Sequence, residues 1–509
     1  MRLITAATAL CGLLSSSLLC AAESNITTSP VARLVLPKDF TPPQVFKNTN
    51  LLRNINLEKG YLRETVNVVV ENVDKKPQSD YYIPFSADII DKVGGLEVRD
   101  KKAPEKGRFD IDVTTHDGSD TQFFLVHFPE PLAPSSQITL GISYYILSSV
   151  QPLPASISQD DKQFLTYTFS AYAPSAYTTV SQKTKVKFPT TNVPDYTQTS
   201  GLKTGAGSDP ERQGSTYTYG PYNTAKVAPG TNEPITVRYE FTKPVLTASL
   251  LERDLEVSHW GGNLATEERY WLRNDGANLS KHFDRVSWTM KTYQGQPSSA
   301  LRELKYPLKP GSVDPYFTDD IGNVSTSRYR PSPRPGREAH LELRPRYPIF
   351  GGWKYSFRIG WNNDLSSFLR GPVPGTDSYI LKVPFIEGPK IPEGLQYEKA
   401  VVRVVLPEGA SNVRYEIVEG TSSNGLPGSS QISSSVTKHI TYMDTLGRTA
   451  LTLTVNNLSD EARDSQLLVI YDYPFLASLR KPLTIFSGFI TIFFTVWLIG
   501  KIDVSIKKR

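Results

Sequence analysis

The chain has 509 residues and a mass of 56.7 kDa, too long for one ordinary domain and enough for two or three. Hydrophobic residues make up 39% and charged residues 21%, which excludes long disorder, and the mean hydropathy of −0.31 excludes a polytopic membrane protein but not a single span. Lys and Arg number 56 against 51 Asp and Glu, too even for a nucleic-acid binder, and 26 Tyr, 22 Phe, 34 Gly and 38 Pro favour strands and turns over long helices.

Residues 1–22 read as a secretory signal peptide: Arg2 is the basic start, Leu3 to Leu19 is apolar, and Cys20-Ala21-Ala22 offers a cleavage site before Glu23. An uncleaved N-terminal anchor is the competing reading, and the shortness of the apolar run argues against it. The only cysteines, Cys11 and Cys20, fall inside this segment. The mature chain is therefore expected to enter an oxidising compartment with no disulfide framework, relying on core burial alone. Cysteine catalysis and thiolate metal sites are excluded.

Short alternating runs follow, such as Thr65 to Val70, Thr236 to Phe241 and Val401 to Leu406. Their spacing predicts β-sandwich domains. Ser200 to Gly214 and Pro331 to Gly336 read as loops, and between residues 23 and 480 no stretch shows a sustained apolar period of 3.6 beyond weak candidates. Features also recur in order. Asn72 is echoed by Asn274, 202 residues on; Ile142-Ser143-Tyr144 by Ile359-Gly360-Trp361, 217 on; Lys187-Phe188-Pro189 by Val405-Leu406-Pro407, 218 on; and Arg238 to Phe241 by Ile470 to Tyr473, 232 on. Steadily rising offsets are what insertions in a tandem copy produce, so a duplicated β-domain with a boundary near residue 240 is expected. The alternative is that any two β-proteins share such echoes.

Pro482 to Gly500 carries no charge and is flanked by Arg480-Lys481 and Lys501. At 1.5 Å per residue it spans about 28 Å, close to the ~30 Å hydrocarbon core. With a cleaved signal ahead of it, this stop-transfer helix would leave the basic tail 501–509 in the cytosol. A GPI signal would end in its apolar tail, and this chain ends Lys507-Lys508-Arg509. Within the span Thr484, Gly488, Thr491 and Thr495 share one helical face and are the candidate packing stripe. Self-capping of the Thr hydroxyls is the competing reading.

The sequons are Asn25-Ile26-Thr27, Asn278-Leu279-Ser280, Asn323-Val324-Ser325 and Asn457-Leu458-Ser459. No catalytic constellation emerges. The six histidines form no HExxH or paired spacing, and there is no G-x-S-x-G elbow. Asp110-Ile111-Asp112 puts two acids on one strand face, more simply a solvated face than a metal site. Asp319-Asp320 before Ile321-Gly322 reads as a turn.

From His259 onward the chain resembles the ribophorin I family. The stretches that carry the resemblance are His259-Trp260-Gly261 with Glu267-Glu268, Tyr316 to Ser327, Arg344-Pro345-Arg346-Tyr347-Pro348-Ile349-Phe350-Gly351-Gly352-Trp353-Lys354, Leu406-Pro407-Glu408-Gly409-Ala410, and Tyr442 to Arg448. The span and Asp503 to Ile506 also fit. Trp361 departs from the family's usual Tyr, the tail is short and fungal-like, and the N-terminal half matches loosely.

The resemblance implies a mainly β protein of two tandem lumenal β-sandwich-like domains, 23–240 and 241–480, with a transmembrane helix over 482–500. It implies a type I protein of the endoplasmic reticulum membrane. Its role would be that of a non-catalytic subunit of the oligosaccharyltransferase complex, which moves oligosaccharide from dolichyl diphosphate to Asn of N-x-S/T sequons. Expected partners are other subunits, including a polytopic catalytic one and small membrane ones, and nascent polypeptides. No cofactor, metal or nucleic acid is expected. Asn323 is the favoured glycosylation site, ahead of Asn278, Asn457 and Asn25. The alternative is a lumenal cargo receptor or adhesion-type β-sandwich membrane protein.

Overall fold

The computed structural model describes residues 27–29, 33–199, 201–203, 208–332, 334, 336–418, 432–441, 444 and 446–501. The signal segment 1–22, Asn25, part of the 200–214 loop, Met443 and the tail beyond Lys501 lie outside the described residues.

The first half grows from the hairpin Phe46–Asn56 and Leu62–Asn72. In the second strand burial alternates at every residue, so Leu62, Glu64, Val66, Val68, Val70 and Asn72 all point inward. Phe46–Asn56 pairs in parallel with Thr179–Lys187, which pairs antiparallel with Thr216–Asn223. On the other side Leu62–Asn72 pairs antiparallel with Gln137–Ile146.

The second half repeats this wiring. Its hairpin is Leu246–Ser258 with Asn263–Asn274. Leu246–Ser258 pairs in parallel with Leu395–Val405, which pairs antiparallel with Arg448–Ser459. Asn263–Asn274 pairs antiparallel with Lys354–Asp364. Both hairpins carry a register shift near the start, at Asn48/Asn50 and at Ala248/Leu250. Each half adds a four-stranded sheet whose central pair is antiparallel: Phe164–Ser170 with Pro234–Glu240, and Ser378–Pro384 with Gln466–Asp472. One hydrophobic core runs from Leu36 to Val245 and the other from Leu246 to Tyr473.

Polar residues at inward positions are satisfied alike in both halves. Asn72 donates to Lys76 O at 2.9 Å and Leu132 O at 2.7 Å and accepts from the Asp74 amide. Asn274 donates to Ser299 O at 2.8 Å and Ile349 O at 3.0 Å and accepts from the Val245 and Gly276 amides. Each fully buried Asn closes the turn that ends its strand. Arg53 forks onto Glu64, which also accepts from Tyr144; Arg253 pairs with Glu268, which also accepts from Tyr270.

Two features depart from the sequence reading. Thr27–Ser29 does not join the first half but pairs antiparallel with Ser434 to Val436 at the edge of the second sheet. A nine-residue helix, Arg285–Tyr293, is capped by Asp284, which accepts from the Val286 amide. None of its residues is buried: Val286, Met290 and Tyr293 recur at helical spacing on one short face, but that face is left exposed.

A polar seam joins the halves. Lys59 and Tyr61 reach Asp460, Arg63 reaches Glu461 at 2.8 Å, and Gln396 links Gly60 O to the Ser148 amide. The chain leaves the second half through the short helix Phe475–Ser478 and enters Arg480–Gly500. Beyond Arg480 and Lys481 this helix carries no charge, and none of its residues is buried in the protein, which suits a lipid surround.

Candidate functional site

Three stretches far apart in sequence meet where the chain enters the long helix. The turn between Leu246–Ser258 and Asn263–Asn274 carries His259 and Trp260. Trp260 Nε1 donates to Ser478 O at 2.7 Å, a carbonyl at the end of the short helix. His259 Nε2 lies 2.7 Å from the Tyr471 hydroxyl, with its ring against Tyr379 and Tyr473. Burial pushes the His259 imidazole below its usual value.

The second stretch is Leu406 to Ala410. Gly409 has φ +97, and a Cβ there would stand 2.7 Å from the Ala477 Cβ. Only Gly gives both the left-handed backbone and the room. The third stretch ends at Arg448, which donates to Leu406 O at 3.0 Å and Val257 O at 2.8 Å. The Leu446 amide donates to Glu408 at 2.6 Å. Asp444 accepts from Lys481 Nζ at 2.8 Å and from the Thr441 amide at 2.9 Å. Burial opposes the Asp444 charge, but Lys481 and Thr441 outweigh it and hold the carboxyl below the usual range. The three stretches thus form a collar around residues 473–481. Sequence reasoning picked out each one and missed that they meet; their shared position at strand ends was the available signal.

The remaining landmark stretches form a second cluster. Arg346 Nε bonds Asp319 at 2.5 Å, and its Nη2 donates to Asn323 O at 3.0 Å and Gly322 O at 3.3 Å. Asp319 also accepts from the Ile321 and Gly322 amides, so it makes the expected turn and an ion pair together. Burial opposes its charge, and Arg346 with the two amides and Tyr355 holds its carboxyl below the usual range. Gly351 packs so closely that a Cβ would overlap the Ala277 carbonyl, and Gly352 has φ +79. Trp353 is half-buried against Phe350, Phe283 and Tyr347.

The sequons differ in setting. Asn323 is exposed on the strand Gly322–Asn323. Asn278 is exposed at a seam strand, its amide donating to Ala155 O at 2.8 Å. Asn457 has φ 54 and faces the first half, with Nδ2 2.6 Å from Asp91 O and 3.3 Å from Val93 O. Leu458 and Ser459 beside it are fully buried.

Asp112 and Asp80 flank His127 at 3.1 and 2.9 Å, while Asp110 is exposed. Among the described residues no group of three or more His, Cys, Asp and Glu is placed to hold a metal ion. In the long helix Thr484, Thr491 and Thr495 donate to the carbonyls of Arg480, Ser487 and Thr491. Their hydroxyls are satisfied within the helix, and Gly488 has open space where a Cβ would be.

The ribophorin I family model matches residues 46–500. A Schizosaccharomyces pombe protein named dolichyl-diphosphooligosaccharide–protein glycosyltransferase subunit 1 is 30% identical over 431 residues, 84% of this chain and 89% of its own. A Caenorhabditis elegans protein of the same name is 30% identical over 91% of this chain and 73% of its own. Subunit 1B of Arabidopsis thaliana is 28% identical over 96% of this chain and 100% of its own. An M1 zinc metallopeptidase structure from Deinococcus radiodurans aligns over 45% of this chain and 42% of its own at 11% identity and a TM-score of 0.24, a likeness too low to carry any argument. The family match over nearly the whole folded chain and the full-length relatives agree with the landmark stretches gathered above: the chain belongs to the ribophorin I family.

Proposed function

We propose that this chain is subunit 1 of an oligosaccharyltransferase complex of the endoplasmic reticulum membrane and acts there without catalysing transfer itself. The observation that carries the reading is its likeness, over most of its length, to proteins named as that subunit. The two β-domains stand in the lumen, the helix crosses the membrane, and the basic tail is cytosolic. The chain holds its neighbours, among them the polytopic catalytic subunit and small membrane subunits, and receives nascent polypeptides.

Three acids in the two halves support a scaffold role because each is held by structural partners. Glu64 is held by Arg53 and Tyr144, Glu268 by Arg253 and Tyr270, and Asp319 by Arg346. A general acid or nucleophile needs a free lone pair or proton facing the reacting atom. Asn323 and Asn278 are the proposed glycan carriers. In the membrane the face of Thr484, Gly488, Thr491 and Thr495 is the proposed packing side, with Gly488 as the point of closest approach rather than the Thr hydroxyls as bonding groups.

Reconstitution tests the reading. The purified chain with lipid-linked oligosaccharide and acceptor peptide yields no glycopeptide. The complex carrying Asp112→Asn or His127→Gln transfers at the wild-type rate, and Gly488→Leu lowers co-purification of membrane subunits while leaving the β-domains folded. Transfer by the chain alone, or its abolition by one polar substitution in an intact complex, refutes the non-catalytic role.

A further inference from the structure

The collar does more than join the β-domain to the helix: it leaves large apolar side chains bare beside it. Trp260 is 66% exposed, Phe475 72% and Leu476 77%. Ile440, 73% exposed, directly precedes Thr441, which binds Asp444. Grouped apolar exposure of this kind marks an interaction surface.

Its place along the membrane axis identifies the partner. Lys501 stands over the Trp497 ring at 4.2 Å, marking one edge of the span. The 21 residues of Arg480–Gly500 rise about 31 Å and so bring Arg480 and Lys481 to the opposite edge. Phe475 and Leu476 lie four or five residues further on, within about 8 Å of axial rise. That is the headgroup layer. Trp260 has the form suited to it, an apolar ring with its N–H already bonded. The Trp260–Ser478 contact fixes the β-domain to the end of the short helix, and Lys481–Asp444 fixes it to the first turn of the long one.

We propose that this end of the second β-domain rests on the bilayer, with Trp260, Ile440, Phe475 and Leu476 among the lipid headgroups. The seating goes beyond subunit membership and rests on the helix being a membrane span. The β-domains are then held at a fixed attitude to the membrane instead of swinging on a tether.

The test uses the mature chain, from which Cys11 and Cys20 have gone with the signal segment, in phosphatidylcholine nanodiscs. Single cysteines are introduced by Leu476→Cys, Ile440→Cys, Ile321→Cys and Phe493→Cys and labelled with a small environment-sensitive fluorophore. Labels at 476 and 440 are expected to be quenched by a headgroup-level lipid spin label and to lose quenching by aqueous iodide. Position 321, 80% exposed and remote, is expected to show the reverse. Position 493 is expected to respond only to deep lipid quenchers. Iodide access at 476 and 440 equal to that at 321 overturns the seating while leaving the span intact. Absence of deep quenching at 493 overturns the span and the seating with it. If both collar labels are shielded from lipid and iodide in the purified whole complex, a protein subunit covers this face and the lipid assignment is wrong. The two collar positions are independent, so a folding defect in one variant leaves the other to decide, with near-UV circular dichroism identifying the folded one.

Discussion

Lys481, in the first turn of the membrane helix, donates to the fully buried carboxylate of Asp444 across 2.8 Å. The bond turns a change of direction in the chain into a fixed joint. Because Lys481 remains 46% exposed, water screens the pair, and Asp444→Asn is expected to cost only about 0.5–1 kcal/mol. The expected outcome is a few-fold faster hydrogen exchange at Leu479 to Leu483 with the melting temperature nearly unchanged. Unaltered exchange there would show that the joint is made elsewhere.

Asn457 and Asn323 share a sequon pattern and are expected to differ in fate. A glycan would be attached to the Asn457 Nδ2, which here lies 2.6 Å from Asp91 O in the seam between the halves. Glycopeptide mass spectrometry should find Asn323 occupied and Asn457 bare. Asn457→Ala loses these bonds and places Ala at φ 54, a cost of about 2–4 kcal/mol together. Asn323→Gln should remove one glycan without lowering the melting temperature. Stoichiometric glycan at Asn457 would contradict the closed seam.

The polar signals at strand ends were legible, and both halves carry them at matching strands. The offset of 202 between Asn72 and Asn274 marks matching second strands, and that of 232 between Arg238 and Ile470 marks matching strands of the four-stranded sheets. Alternation is a local property, so it survives in one sequence. The collar was not legible, because Trp260 and Ser478 are brought together only by strand pairing over 218 residues. The crossing of Thr27–Ser29 to the second sheet leaves no local trace either. The Thr stripe was legible as a face, but its spacing is the same whether a hydroxyl bonds a neighbour or its own preceding turn.

His259 makes the collar sensitive to acid. Its ring is packed by Tyr379 and Tyr473 and bonded to Tyr471, and burial depresses its pKa from the ordinary 6.5. Above pH 6.5 the folded and unfolded states both hold it neutral, and nothing is lost. As pH falls below that value the unfolded chain takes the proton first, so stability declines until the folded pKa is passed. The melting temperature of the second domain should therefore fall as pH drops below about 6.5. His259→Phe should flatten that part of the profile. An identical slope in the variant would assign the loss to other groups.

The buried arginines give the sharpest test of the duplicated plan. Arg53 and Arg253 occupy the first strand of equivalent hairpins and meet glutamates on the second. Their surroundings differ. Arg53 adds one bond, to Ser170 O at 3.0 Å, whereas Arg253 also holds Glu387, bonded at 2.9 Å. Burial raises the Glu387 pKa, and the nearby Glu268 charge adds to this against the pull of Arg253. Removing either arginine strands a buried carboxylate, which costs about 3–5 kcal/mol. Arg53→Met strands Glu64 alone, and Arg253→Met strands two acids at once. Both variants should unfold at lower temperature, each through its own half. The Arg253→Met loss should exceed that of Arg53→Met, and Glu387→Gln in the Arg253→Met background should recover part of it. Equal losses with no recovery would mean that Glu387 is not held by Arg253 in solution.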